Sequence, residues 1–188
     1  MPPLFWLRRL GSFLTLCLLA AAAWADALTL ANSYRPGLDV QAYWVSEKYD
    51  GVRACWDGRE LRFRSGRSVI APGWFTRALP PQALDGELWL GRGRFEDLSG
   101  LVRRSSPDDA GWRALRFMAF DLPQPGLPFS ERSTQLGAVV LQAGFTNLVA
   151  APQRQVPSPA LLRRWLDDVV RDGGEGLSLG LGLFDDLI

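Results

Sequence analysis

Lys48 is the only lysine in a 188-residue chain whose other 20 basic residues are all arginine. The two cations differ in one respect that matters for chemistry. Lysine can lose its proton and attack an electrophile, whereas arginine stays protonated. Where a G+C-rich gene has exchanged lysine for arginine wherever charge alone suffices, a surviving lysine marks a place that arginine cannot serve. Composition alone is equally compatible with a chance survivor on a solvated face. The neighbours shift that balance: Lys48-Tyr49-Asp50-Gly51-Val52-Arg53 has the form K-x-D-G-x-R. Running from a strand into a turn, this pattern sets a carboxylate two residues beyond the amine, on the same strand face. It adds a glycine that lets backbone approach a ligand closely, and an arginine that can grip an anion with both prongs. The chemistry expected of such a group is nucleophilic catalysis by a lysine amine.

Other chemistries are excluded. There is no histidine, so Ser-His-Asp and Cys-His catalysis and His-ligated metals are ruled out within this chain. The first 25 residues read as an export leader: Arg8 and Arg9 form a positive start, 10–22 is apolar, and Ala23-Trp24-Ala25 is a small-x-small cleavage site. The apolar run is shorter than the ~20 residues of a membrane span. Leu16 before Cys17 is too bulky for a lipoprotein signal. Cleavage would leave 19 cations against 20 anions and Cys55 as the one thiol, so no intrachain disulfide is expected. A net charge near zero gives no general support for nucleic-acid binding. The distribution is uneven, with 12 arginines against 8 acids over 53–116 and 3 against 6 over 156–188.

The elements that must position Lys48 follow from patterning. Residues 42–56 alternate as a strand does, and Asp57-Gly58 followed by alternating Leu61-Arg62-Phe63-Arg64 predicts a hairpin over about 52–64. A short helical or loop segment is expected near Pro72-Gly73-Trp74-Phe75. Strands are expected over 83–91, 114–123 and 146–156, and in the run following Glu175. An amphipathic helix is expected over 95–104 and another over 131–144. A third is expected over 158–171, with Ser158 as its cap, Pro159 at its first position and Gly173-Gly174 as its stop. Leu161, Leu162, Trp165, Leu166, Val169 and Val170 would form its apolar face. Strands outnumber helices and hairpins dominate, so the expected class is α+β with largely antiparallel sheet.

At this point the sequence resembles the covalent nucleotidyltransferases, the group of ATP-dependent DNA ligases, RNA ligases and capping enzymes. Their first motif stands at 48–53. "RSG" at 64–66, "LDGEL" at 84–88, "FMAFDL" at 117–122 and "GGEGL" at 173–177 resemble four further motifs in the family's order. The runs "SEKYDGVRACWDG" and "APGWFTRALPPQALDGELWLGRGRFEDLSGLVRR" are similar to the small exported DNA ligases of Gram-negative bacteria. The resemblance implies a nucleotidyltransferase domain of mostly antiparallel sheets flanked by helices. It implies ATP and Mg²⁺ as cofactors, nicked duplex DNA as partner, a monomer and a periplasmic location. Lys48 would attack the α-phosphorus of ATP and carry AMP to the 5′-phosphate at a nick. Asp50 would orient the amine or the ribose, and Arg53 and Arg64 would contact the nucleotide or the nick phosphate. Glu87 would bind the ribose, Phe120 (or, as the second choice, Phe117) would stack on adenine, Ser46 would help read the adenine edge, and Glu175 would help hold the metal.

Bland alternatives stand beside these roles. Asp85 could serve only to make a turn, Glu47 and Arg59 could be solvated, and the arginines over 62–116 could be a scattered polar face. The family continues to a Lys-x-Lys motif and an oligonucleotide-binding barrel. Here the chain ends at Ile188 with neither, so the expected domain, 26–188, is incomplete and its nick sealing impaired. A nucleotide- or DNA-binding remnant and an RNA-ligase-like enzyme are the competing readings.

Overall fold

The computed structural model describes residues 37–124 and 126–181. The leader expected over 1–25, Cys17 within it and the chain end from 182 lie outside the described residues. Among the described residues eight strands form two sheets: β1 (Tyr43–Lys48), β2 (Val52–Trp56), β3 (Leu61–Phe63), β4 (Leu84–Trp89), β5 (Arg116–Asp121), β6 (Leu148–Ala150), β7 (Gln153–Gln155) and β8 (Gly176–Leu181). One sheet has the order β7-β1-β8 and the other β3-β2-β4-β5-β6. Every pair is antiparallel except β5 with β6. The helices are α1 (Gly73–Arg77), α2 (Phe95–Val102), α3 (Asp109–Ala114), α4 (Phe129–Ala143) and α5 (Pro159–Arg171). The expected α+β class with mostly antiparallel sheets is the observed one.

Each sheet buries one face in its own core. The five-stranded sheet packs Leu84, Leu88 and Phe117 against Leu98 of α2, Trp112 of α3 and Leu136 of α4. Phe75 of α1 stands edge-on to Trp112, with ring centres 4.8 Å apart. In the three-stranded sheet Tyr43 and Val45 of β1, with Leu179 of β8, pack on Leu162 of α5. Alternation along β1 therefore turns Ser46 and Lys48 to the opposite face.

Two expected strands are each broken in two. The run over 42–56 stops at Lys48 and resumes at Val52, and the two pieces belong to different sheets. Gly51 makes the crossing possible: a Cβ there would lie 2.4 Å from the Leu88 carbonyl oxygen and 2.5 Å from Glu87 Cγ. The run over 146–156 likewise splits into β6 and β7 in different sheets, with Ala151-Pro152 between them. Proline has no N–H to continue a ladder. Asp50 is consequently not on a strand face shared with Lys48; it belongs to the crossing.

The hairpin turn forms as expected. Asp57 Oδ1 accepts from the backbone N–H groups of Arg59 and Glu60 at 2.8 and 2.7 Å, and Gly58 takes φ +92°. Ser158 caps α5 by accepting from the Leu161 N–H at 3.3 Å. The apolar face of that helix is only half used: Leu162 and Val169 are buried, while Leu161, Leu166 and Val170 remain exposed. Helix α3 was not foreseen. Asp108 starts it, accepting from the N–H groups of Ala110 and Gly111.

Candidate active site

The K-x-D-G-x-R segment spans the seam between the sheets. Lys48 ends β1 in one sheet, and Arg53 sits near the start of β2 in the other. Lys48 pairs with Gly176 across β1 and β8, which brings Glu175, just before β8, alongside. The Lys48 Nζ donates to Glu175 Oε1, and both side chains are about half exposed. The nucleophile candidate thus opens into a cleft instead of facing bulk solvent alone. Lys48, Asp50, Trp89, Arg92, Gly174 and Glu175 line a cavity there of about 130 Å³.

The facing wall comes from β2, β4 and β5. Arg53 is opposite Glu87, and Glu87 is opposite Met118. Asp85 is a buried strand residue, not a turn former. It receives both prongs of Arg53, Nε to Oδ1 at 3.0 Å and a terminal nitrogen to Oδ2 at 2.6 Å. The Arg53 guanidinium also lies 4.8 Å over the Phe120 ring. Its forked grip, expected for a nucleotide or nick phosphate, is thus turned on Asp85.

Phe117 is plain core, fully buried, whereas Phe120 is half-buried. The difference lies in register. Asp85 pairs with Asp121 but Gly86 pairs with Ala119, so Phe120 is skipped, as at a β-bulge. Bulges re-aim a side chain and free its backbone groups from the ladder.

Electrostatics mark Glu87 most strongly. Burial pushes its carboxyl up to about 8. The carboxylates of Asp85, Glu175 and Asp50 add to the shift, and Arg53 works against it. Cys55 is pushed up to about 12, first by burial and then by Asp85, to which its thiol donates at 3.5 Å. A buried thiol held in that state is not a nucleophile. Tyr49, edge-on to Trp89 at 5.1 Å, is also pushed up to about 12, chiefly by burial.

The structure brings Lys48, Asp50, Glu87 and Glu175 to one seam, with Arg53 and Phe120 on the adjoining wall. Ser46 lies one pleat from Lys48 on the same face of β1. Arg64 does not join them. It is exposed in the turn after β3, and no contact links it to the cleft among the described residues.

Sequence reasoning missed a brace. Glu47, for which plain solvation was one reading, accepts both prongs of Arg92 at 2.8 and 2.9 Å. A third Arg92 nitrogen donates to the Asp172 carbonyl at the end of α5, 3.2 Å away. Arg92 therefore ties the strand carrying Lys48 to the turn carrying Glu175. Gly174 fits beneath the brace, where a Cβ would lie 3.1 Å from Glu47 Oε1 and 2.5 Å from Val169 Cγ1. The available signal was the Gly91-Arg92-Gly93 loop directly after a strand, two glycines around one cation.

Comparison with known proteins agrees with this architecture. The DNA ligase of Haemophilus influenzae is 33% identical over 166 residues, spanning 87% of this chain and 61% of that protein. A solved structure from work on Lig E DNA ligases, concerned with DNA binding by a minimal scaffold, has a TM-score of 0.79 and 38% identity. That match covers 85% of this chain and 63% of that one. Chlorella virus DNA ligase-adenylate shares the fold, with a TM-score of 0.68 at 14% identity over 82% of this chain and 60% of its own. The chain thus spans about three-fifths of the length of these relatives. No protein-family model matches it. With Lys48 and Glu175 meeting at a two-sheet seam, and with these likenesses, the chain has the α+β fold of the adenylation domain of the ATP-dependent DNA ligases, the proteins it is similar to.

Proposed function

We propose that this domain takes an adenylyl group from ATP onto Lys48 and passes it to the 5′-phosphate at a nick in duplex DNA. The observation that carries the reading is the Lys48 amine held against Glu175 in the seam between the sheets. The ammonium must shed a proton before it attacks, and the Glu175 carboxylate in contact with it can receive one. A nitrogen–phosphorus bond then forms at the α-phosphorus as the bond to pyrophosphate breaks. Glu87, holding a proton near neutral pH, is able to donate a hydrogen bond to a sugar oxygen. Asp50 at the crossing orients the amine or the sugar, and Phe120 offers a face to the base.

Among the described residues no three acidic, cysteine or histidine side chains gather to hold a metal by themselves. Mg²⁺ commonly takes one or two carboxylates and completes its shell with phosphate and water. Glu175 fits that role, with the remaining ligands coming from the substrate. The ion would neutralise charge on the phosphates. We extend the same reading to a monomer acting in the periplasm. It rests on the leader-like first 25 residues and on the Lig E likeness. Among the described residues no helix is long and apolar enough to cross a membrane.

The test is incubation of the full chain with α-labelled ATP and Mg²⁺, followed by nicked duplex. Label should become bound to the protein, be absent in Lys48→Ala, and leave the protein when nicked DNA is added. Nucleotide binding with no covalent label in the wild type would contradict the catalytic reading and favour a binding module.

A further inference from the structure

Phe120 stands at an irregularity that has to be held. Asp85 pairs with Asp121 and Gly86 with Ala119, so Phe120 and Asp121 together oppose one residue of β4. The bulge sets two largely buried carboxylates opposite each other. Like charges in that position are destabilising. Regular pairing would put Phe120 opposite Asp85 and move Asp121 one step along, separating the charges.

Each carboxylate, however, has an arginine of its own. Asp85 takes both prongs of Arg53 from β2. Asp121 takes both prongs of Arg132, Nε to Oδ1 at 2.8 Å and a terminal nitrogen to Oδ2 at 3.1 Å. The other terminal nitrogen of Arg132 donates to the Leu127 carbonyl at 2.7 Å. Arg132 lies in the first turn of α4 and is 4% exposed, a burial that arginine hardly ever reaches unless paired. Burial raises the Asp121 carboxyl, Arg132 opposes the rise and Asp85 adds to it. The first clamp also reaches Phe120, whose ring lies 4.8 Å from the Arg53 guanidinium. The second holds the residue next to Phe120 in sequence. Arg132 does not line the cavity beside Lys48, so its effect on the site passes through the residues it holds.

We propose that Arg132 is a positioning residue for nucleotide binding: its grip on Asp121 keeps the bulge in register and so fixes where the half-buried Phe120 ring stands. The inference rests on the reading of Phe120 as the face offered to the base. With the grip gone, regular pairing regains the ladder bonds that the bulge gives up, and the Phe120 ring is re-aimed. Removing both charges together strands neither, so the fold is kept while the position is lost.

Calorimetric titration of the full chain with ATP, with thermal melting alongside, tests this. Phe120→Ala should weaken ATP binding about tenfold, the scale of one lost stack on a base. Arg132→Met/Asp121→Asn should melt close to the wild type and yet weaken ATP to a similar degree. Adding Phe120→Ala to that variant should lose no further affinity, because all three changes act at one ring. A merely structural pair would lower the fraction of protein that binds, or the melting temperature, and leave the affinity of the folded protein unchanged; that result overturns the proposal. So do losses that multiply when Phe120→Ala is added, since Arg132 would then act elsewhere. Should the double variant not fold, by circular dichroism, Asp121→Asn alone carries the same expectations. Phe120→Ala binding ATP as the wild type does removes Phe120 from the site, and a wild type that binds no ATP sinks the nucleotide-site reading itself; either takes this inference with it.

Discussion

A carboxylic acid that keeps its proton near neutral pH is unusual in a folded protein, and Glu87 is one, pushed by burial from the ordinary 4.5 up to about 8. Between those values the folded chain binds a proton that the unfolded chain releases. The stability from this group is therefore complete below about 4.5 and is lost as pH rises through about 8. Urea unfolding at pH 5, 7 and 9 should show that decline, and Glu87→Gln should flatten it. An identical decline in the Gln variant would assign it to other groups. The Arg53–Asp85 pair is the opposite case, two charges committed to each other. Arg53→Ala strands a buried carboxylate and should destabilise by about 3–5 kcal/mol, with part of the loss recovered in Arg53→Ala/Asp85→Ala. Equal stability of the single and wild-type proteins would show that the pair contributes nothing. Lys48 differs again: its ion pair is half exposed, so Lys48→Ala should change stability by less than about 1 kcal/mol.

The elements are held to the site by the two places where the chain crosses between sheets. Gly51 makes the first crossing against β4, so Gly51→Ala should push Glu87 aside and lower the melting temperature. An unchanged melting temperature would mean that β4 yields easily. Arg92 braces the ends of β1 and α5. Arg92→Ala should slow adenylation by roughly 10–100-fold with the fold intact, as misplaced reacting groups do. Glu47→Arg/Arg92→Glu should recover part of that rate, and loss without recovery would reduce the brace to a surface contact. Much of this was legible beforehand. The Asp-Gly turn and the Ser158-Pro159 cap act through neighbours in sequence, and of the five ordered motifs all but that of Arg64 come together between the sheets. The crossings were not legible, because alternation runs through Ser46–Ala54 without showing that it changes sheets. Nor was the brace, since Glu47 and Arg92 are 45 residues apart and meet only after both loops close. The role of Asp85 was equally hidden: the expected strand over 83–91 contains it, but its partner Arg53 is 32 residues away in sequence.

At the scale of the whole molecule, two small sheets each bury their own core, and the candidate site sits in the seam between them. The first crossing feeds Asp50 into that seam, and Gln153 after the second ties the two sheets by donating to the Phe120 carbonyl. With a net charge near zero, the affinity for a nicked duplex that the proposed function requires would come from local arginines and should weaken as salt rises. The central claim is narrower than DNA binding: one amine, Lys48, takes up AMP. Mass spectrometry of peptides from the full chain, after incubation with ATP and Mg²⁺, measures this directly. The account predicts an adenylyl adduct on the peptide holding Lys48 and none in Lys48→Arg, where the charge is kept and the nucleophile removed. An adduct on any other residue, or an unmodified Lys48 in protein that binds ATP, would contradict it.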